Sequence, residues 1–116
     1  MKLVHVTIQT DRFEQEVEFY KNHAGLTIQQ DMRPIGRNLV FLADNKGDTC
    51  IEIIENKEAE FTANGNISLG FHTDSLTAKR EKLISAGFTP TPVISPMPNV
   101  HFFFVSDPAG VTVQFI

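Results

Sequence analysis

Apolar and polar side chains alternate through residues 2–10, and this period of two predicts a β-strand with His5 on its mixed face. Asp11 is the predicted N-cap of a helix, because it opens a capping-box pattern and apolar residues then recur at helical spacing. Gly25 ends that helix. Further strands are predicted at about 26–33, 37–43 and 49–55.

The same order of patterns returns in the second half of the chain. Residues 66–73 alternate again, Asp74 is the predicted cap of a second helix, and Gly87 ends that helix. The polar stretch 56–65 is typical of a linker between the halves. Strands are predicted next at about 88–94, 100–105 and 111–116.

The two halves also match in their residues, which indicates a tandem repeat. The first half closes on FLADNKGDTCIEII, and the second closes on FVSDPAGVTVQFI. The repeat predicts a single α+β domain over residues 1–116, built from two β-α-β-β-β modules at 1–56 and 66–116.

Composition and charge exclude several classes of protein. The 116 residues carry a formal charge of −4 without a cluster of Lys and Arg, so we expect no nucleic-acid partner. Apolar runs stay well short of the roughly 20 residues that span a bilayer, so we expect no membrane partner. Cys50 is the single cysteine, which excludes an intrachain disulfide and favours a reducing, cytoplasmic location.

Residues on the first and fourth strands of the modules resemble those of a known family. His5 on the first strand, Ile-Glu-Ile around Glu52 on the fourth and the stretch DPAGVTVQF are similar to the vicinal oxygen chelate superfamily. That superfamily includes glyoxalases, bleomycin resistance proteins and extradiol dioxygenases. The resemblance implies that two curved mixed sheets enclose a cleft. It also implies that a divalent metal, where one is bound, is held by the first and fourth strands of each module.

The resemblance assigns candidate residues to these four strand positions. His5, Glu52 and Gln114 fall on three of them as candidate metal ligands. The remaining position, commonly His, falls on Ser68 or, by a second placement, on Asn66. A hydroxyl or carboxamide is a poorer donor than imidazole or carboxylate. We therefore expect either no cofactor or a weakly bound divalent ion such as zinc, nickel or manganese.

One further histidine is a candidate ligand contact. His72 shares a strand face with Ser68 and is predicted to lie at the mouth of the cleft, too far along the strand to join the same metal. No catalytic residue is assigned. The predicted ligand-binding residues are His5, Glu52, Ser68, His72 and Gln114.

Two functions are consistent with these residues. The first is a small-molecule binding protein of the glyoxalase/bleomycin-resistance type without a tightly bound catalytic metal, as Ser68 and Gln114 indicate. The alternative is a divalent-metal-dependent, glyoxalase-like lyase, isomerase or dioxygenase that uses His5 and Glu52 as ligands. Both functions require a small-molecule ligand, and the resemblance implies a homodimer.

Overall fold

The repeat predicted from the sequence is present in the structure, a computed structural model that describes residues 1–60 and 64–116. Within these ranges the chain forms eight strands, two α-helices and a short 3-10 helix at Arg33–Ile35. The order is β-α-β-β-β twice, so the α+β class is confirmed. The strands are β1 (His5–Thr10), β2 (Thr27–Asp31), β3 (Leu39–Ala43), β4 (Cys50–Glu55), β5 (Asn64–Phe71), β6 (Ile94–Met97), β7 (Val100–Ser106) and β8 (Val111–Phe115). The α-helices are α1 (Phe13–Asn22) and α2 (Leu76–Ser85).

The chain divides into two compact units, Met1–Phe61 and Thr62–Ile116, called unit 1 and unit 2 below. Unit 1 holds a sheet of order β1-β4-β3-β2, and unit 2 holds a sheet of order β5-β8-β7-β6. In each sheet the first and last strands of the repeat pair in parallel, and the other pairings are antiparallel. The sheets are therefore mixed, as expected.

Unit 1 has its core between α1 and one face of its sheet. Phe13, Val17 and Tyr20 are buried at the helical spacing that predicted α1, and the helix packs against β3 and β4. Val40 and Ile53 are fully buried on the facing side of the sheet. Within the part of the chain that the structure describes, no helix has the length and apolar character needed to cross a membrane.

Unit 2 buries less of its helix. In α2, every residue of which is described, Leu83 is the one buried side chain. The positions one turn earlier on the same face are Lys79 and Arg80, both half-buried. Arg80 donates from Nε to the Thr91 carbonyl at 2.9 Å, and Lys79 Nζ lies 5.5 Å from the centre of the Phe115 ring. The inner face of α2 therefore carries two cations where α1 carries mainly apolar residues.

The position of Lys79 predicts a pH-dependent stability. Burial lowers the pKa of Lys79 below its usual 10.5, and the charge of Lys82 acts in the same direction. The unfolded chain therefore binds this proton more tightly than the folded chain. The resulting cost to the fold is largest at neutral pH and disappears as the pH rises through 10.5.

We expect Lys79→Met to raise the free energy of unfolding at pH 7 by less than about 1 kcal/mol, because the charge is only partly shielded from water. Methionine keeps an unbranched chain against the Phe115 ring. Urea denaturation between pH 7 and pH 10.5 should show the gain over wild type shrinking as the pH rises. Lys46→Met changes an exposed turn residue and should show no such trend. A gain that is the same at every pH would contradict this explanation.

The predicted helix caps are each wrong by one residue. The N-cap of α1 is Arg12 rather than Asp11, and no side chain of the described residues caps it; the hydroxyl of Thr10 instead accepts from the Arg12 amide at 2.9 Å. The N-cap of α2 is Ser75 rather than Asp74, and its hydroxyl accepts from the Ala78 amide at 3.2 Å. Ser75 has the extended backbone that an N-cap needs.

One predicted strand is also misplaced. The strand expected at 88–94 begins only at Ile94, because Pro90 and Pro92 lack the amide hydrogen that a strand ladder requires. Thr91, between these prolines, donates its amide to the Phe104 carbonyl at 2.8 Å without extending β6. The predicted linker at 56–65 contains residues 61–63, which lie outside the described residues, and β5 begins within it.

Candidate functional site

Strands β1 and β4 bring His5 and Glu52 together on one face of the unit 1 sheet. The strands are parallel, and Thr7 is the residue in register with Glu52. His5 Nε2 lies 3.6 Å from Glu52 Oε1, and the Thr7 hydroxyl donates to the same oxygen at 2.6 Å. The Glu52 side chain is 11% exposed and the His5 side chain 43%. These three residues are called the Glu52 centre. The centre consists of a nearly buried carboxylate, a hydroxyl that donates to it and a half-exposed imidazole beside it.

Two further side chains lie beside the Glu52 centre. Phe41 on β3 is in register with Glu52, and its ring meets the His5 imidazole edge-on, with centroids 5.7 Å apart and planes at 71°. Cys50 is in register with His5 and half-buried, and its thiol donates to the Asp48 carbonyl at 3.6 Å. The face of the sheet thus combines a hydrogen-bond acceptor, an imidazole and an aromatic ring.

The register of unit 2 identifies the equivalent positions. Strand β5 is parallel to β8, with Ser68 opposite Thr112 and Gly70 opposite Gln114. In unit 2, Ser68 lies two residues before Gly70, the residue opposite Gln114. In unit 1, His5 lies two residues before Thr7, the residue opposite Glu52. Ser68, rather than the alternative Asn66, therefore takes the strand position that His5 has in unit 1.

The equivalent positions of unit 2 have a different chemistry. Ser68 offers an exposed hydroxyl, Gln114 a half-buried carboxamide, and Gly70 has no side chain where unit 1 has Thr7. Phe104 on β7 is in register with Gln114, as Phe41 is with Glu52. Among residues 1–60 and 64–116, no group of three or more His, Cys, Asp and Glu side chains is placed to hold a metal ion.

His72 lies beyond the end of β5 in a different setting. Its Nε2 is 3.3 Å from Asp74 Oδ1, and the imidazole is 79% exposed. With His101, Asn99 and Val100 it lines an open groove of about 580 Å³ beside the start of α2. The structure thus places His72 in this groove, apart from the register pair of Gly70 and Gln114.

The sequence of the whole chain matches one family model. The Glyoxalase/Bleomycin resistance protein/Dioxygenase superfamily model matches residues 2–115. The chain belongs to this superfamily. The resemblance inferred from His5, Glu52 and the DPAGVTVQF stretch is therefore confirmed. Among curated proteins, no sequence matches the chain.

Solved structures of the superfamily share the fold. The trypanothione-dependent glyoxalase I of Leishmania major is 16% identical with a TM-score of 0.77, over 100% of this chain and 86% of that chain. The fosfomycin resistance protein FosX of Listeria monocytogenes is 13% identical with a TM-score of 0.76, over 99% and 91%. TnmS3, an antibiotic-binding protein of Streptomyces sp. CB03234, is 17% identical with a TM-score of 0.69, over 99% and 93%.

Two residues of this superfamily member were missed by the sequence reasoning, Thr7 and Gly70. Thr7 follows His5 by two residues and lies opposite Glu52. Gly70 follows Ser68 by two residues and lies opposite Gln114. Aligning the two halves would have paired Thr7 with Gly70, because both follow the first-strand position by two. That pairing was the available signal, since the position that carries a hydroxyl in the first repeat has no side chain in the second.

Proposed function

We propose that this superfamily member is a small-molecule binding protein, that the Glu52 centre contacts its ligand, and that it works without a tightly bound metal. The observation that carries the proposal is the burial of the Glu52 side chain together with its two polar contacts. Its carboxylate is nearly buried, accepts the Thr7 hydroxyl at 2.6 Å and lies 3.6 Å from the His5 imidazole.

The chemistry of the Glu52 centre favours a ligand that donates hydrogen bonds. A carboxylate that leaves water loses hydration, and it recovers stability only through partners that donate to its oxygens. A carboxylate has about four acceptor positions, of which the Thr7 hydroxyl fills one. A ligand hydroxyl or amine fills another, while the Phe41 ring offers an apolar contact beside it.

The donor set does not fit a tightly held divalent ion. His5 and Glu52 supply one imidazole and one carboxylate, whereas the equivalent positions of unit 2 supply the Ser68 hydroxyl and the Gln114 carboxamide. Zinc, nickel and manganese sites are built mainly from imidazole, thiolate and carboxylate. The proposed binding function therefore has no step that passes through a metal. The related fold of TnmS3, which is an antibiotic-binding protein, also supports a binding role.

A second candidate is a metal-dependent, glyoxalase-like lyase, isomerase or dioxygenase. The 3.6 Å approach of His5 Nε2 to Glu52 Oε1 favours it, because two donors this close can face one ion. Elemental analysis of protein purified without chelator distinguishes the two candidates. One equivalent of metal that is lost in His5→Ala would favour the enzyme over the binding protein.

The binding proposal predicts a large effect of Glu52→Gln. A fragment library of amines and alcohols that carry one aromatic ring is screened by the amide shifts of the labelled protein. Bound fragments should shift amides of β1 and β4. We expect Glu52→Gln to weaken their binding at least about tenfold, because a hydrogen bond to a charged acceptor is stronger than one to an amide.

The matched control is Glu55→Gln, the same chemical change on the same strand. Glu55 is half-buried but points to the opposite face, so its loss should leave fragment binding within about twofold. Equal binding to wild type and Glu52→Gln, with both proteins folded, would show that the Glu52 centre is not the binding site.

A further inference from the structure

Gly70 has no backbone or packing reason to be a glycine. Five other glycines of the chain have a positive φ that favours glycine, but Gly70 does not. A Cβ atom built on it would meet Gln114 Oε1 at 3.5 Å, an ordinary contact, and no other atom of the described residues within 4 Å. Glycine weakens a strand, and within one it marks a bulge, a tight bend, or a close approach by a ligand or another backbone. The register of β5 shifts between Asn64 and Ser68 but is regular at Gly70, which favours the close approach.

Gly70, Gln114 and Phe104 lie in one register row across three neighbouring strands, and the position without a side chain in this row is called the Gly70 notch below. Gln114 borders it on the neighbouring strand, and Phe104 follows on the next strand in the same register. Phe102 packs edge-on against Phe104, with centroids 5.5 Å apart and planes at 71°. This Gly70 notch is the place that the Thr7 side chain fills in unit 1.

Gln114 is available to a ligand in this notch. Its carboxamide is half-buried, and among the described residues none hydrogen-bonds to it. A half-buried amide without a protein partner needs a partner from solvent or from a ligand. Its oxygen is the atom that lies nearest to the missing Cβ of Gly70, so the acceptor is directed at the empty position.

The notch favours an uncharged planar group. Gly70, its register partners Gln114 and Phe104, and Ser68 two residues earlier on the same strand carry no ionisable side chain. A charged group would thus lose hydration without gaining a counter-ion there. Phe104 offers a ring edge or face to a planar group, and the carboxamide of Gln114 both accepts and donates, as an amide edge requires.

We propose that the Gly70 notch is a subsite for an aromatic amide, such as a lactam ring, whose N–H donates to Gln114 Oε1 and whose ring lies over the Gly70 backbone. The proposal rests on the proposed binding function and adds the chemical class of one ligand part. It assigns the specificity to the glycine, because any side chain at this position fills the space that the ring needs.

The test uses isoquinolin-1-one, an aromatic lactam, as the probe and amide shifts of the full-length labelled protein as the readout. The probe should shift amides of β5 and β8. Gly70→Ala should weaken its binding at least about tenfold without lowering the melting temperature, since the added Cβ makes an ordinary contact and the backbone is unstrained. The N-methyl form of the probe, which cannot donate, should bind wild type at least about tenfold more weakly.

Ser85→Ala at the exposed end of α2 is the matched control, because it changes a side chain without touching the sheet face. It should bind the probe as wild type does. Equal affinity of the probe for wild type and Gly70→Ala overturns the subsite. No binding of the probe, while amine fragments still shift β1 and β4, overturns the subsite and leaves the proposed function standing. If neither class of probe binds, the proposed function fails as well.

Discussion

Replacing Leu83 with alanine is expected to lower the free energy of unfolding by about 3 kcal/mol, within the range known for buried leucines. The side chain is fully buried, and α2 has no second buried residue among its described positions to compensate for the cavity. The inner-face cations Lys79 and Arg80 cannot close around the cavity without losing their present contacts. The destabilisation should therefore appear mainly in unit 2.

Urea denaturation measures the total loss, and hydrogen exchange shows where it falls. Amides of β7 and β8 should lose more protection than those of β3 and β4. Ile84→Ala is the control, because Ile84 is the next residue and is 48% exposed. It should cost about 0.5 kcal/mol, as most surface substitutions do. A loss spread evenly over both units would contradict the local role of Leu83.

Thr7→His is expected to add a third metal donor beside His5 and Glu52. The Thr7 side chain already touches Glu52, so an imidazole there joins His5 and Glu52 on one sheet face. Two imidazoles and a carboxylate form a three-donor set, which catalytic metal sites use with an open fourth position. We expect nickel to bind Thr7→His at least about 100-fold more tightly than wild type, or about 2.7 kcal/mol.

Isothermal titration with nickel chloride measures this difference, and the melting temperature with added nickel gives an independent readout. Thr7→Val removes the hydroxyl without supplying a donor and should bind nickel no better than wild type. Combining Thr7→His with Glu52→Gln should abolish most of the gain. If wild type already binds nickel as tightly as Thr7→His, the wild-type side chains already hold the ion and the metal-dependent enzyme becomes the better candidate.

The fold could be predicted from the sequence because its pattern occurs twice. The alternation in residues 2–10 and 66–73, each followed by a helical pattern and a glycine, predicted the element order that the structure shows. Errors arose where two local preferences compete. Asp74 and Ser75 are both good caps, and the backbone conformation of Ser75 decided between them. The prolines at 90 and 92 moved β6 towards the C-terminus, although the apolar residues around them resembled a strand.

The candidate site was harder to predict, because it depends on pairing between strands distant in sequence. The contact of His5 with Glu52 follows from the parallel register of β1 and β4. The resemblance implied that these two strands contribute to one site, but the residues themselves did not show their register. Thr7 and Gly70 looked like ordinary strand residues until that register was known. The charged inner face of α2 was missed for another reason, since Lys and Arg can pack along their stems while their polar ends find partners.

The parallel pairing of first and last strands also determines when each unit can finish folding. The hydrogen bond from Thr7 to Glu52 joins residues 45 apart in the sequence. Contacts between such distant residues slow folding, because a long chain segment must be ordered before they form. During synthesis on the ribosome, β1 therefore has to wait for β4, and β5 has to wait for β8, before the sheet of its unit can be completed. In each unit the first strand thus lacks its parallel partner until the last strand has emerged, and an unpaired strand edge is prone to aggregation during that interval.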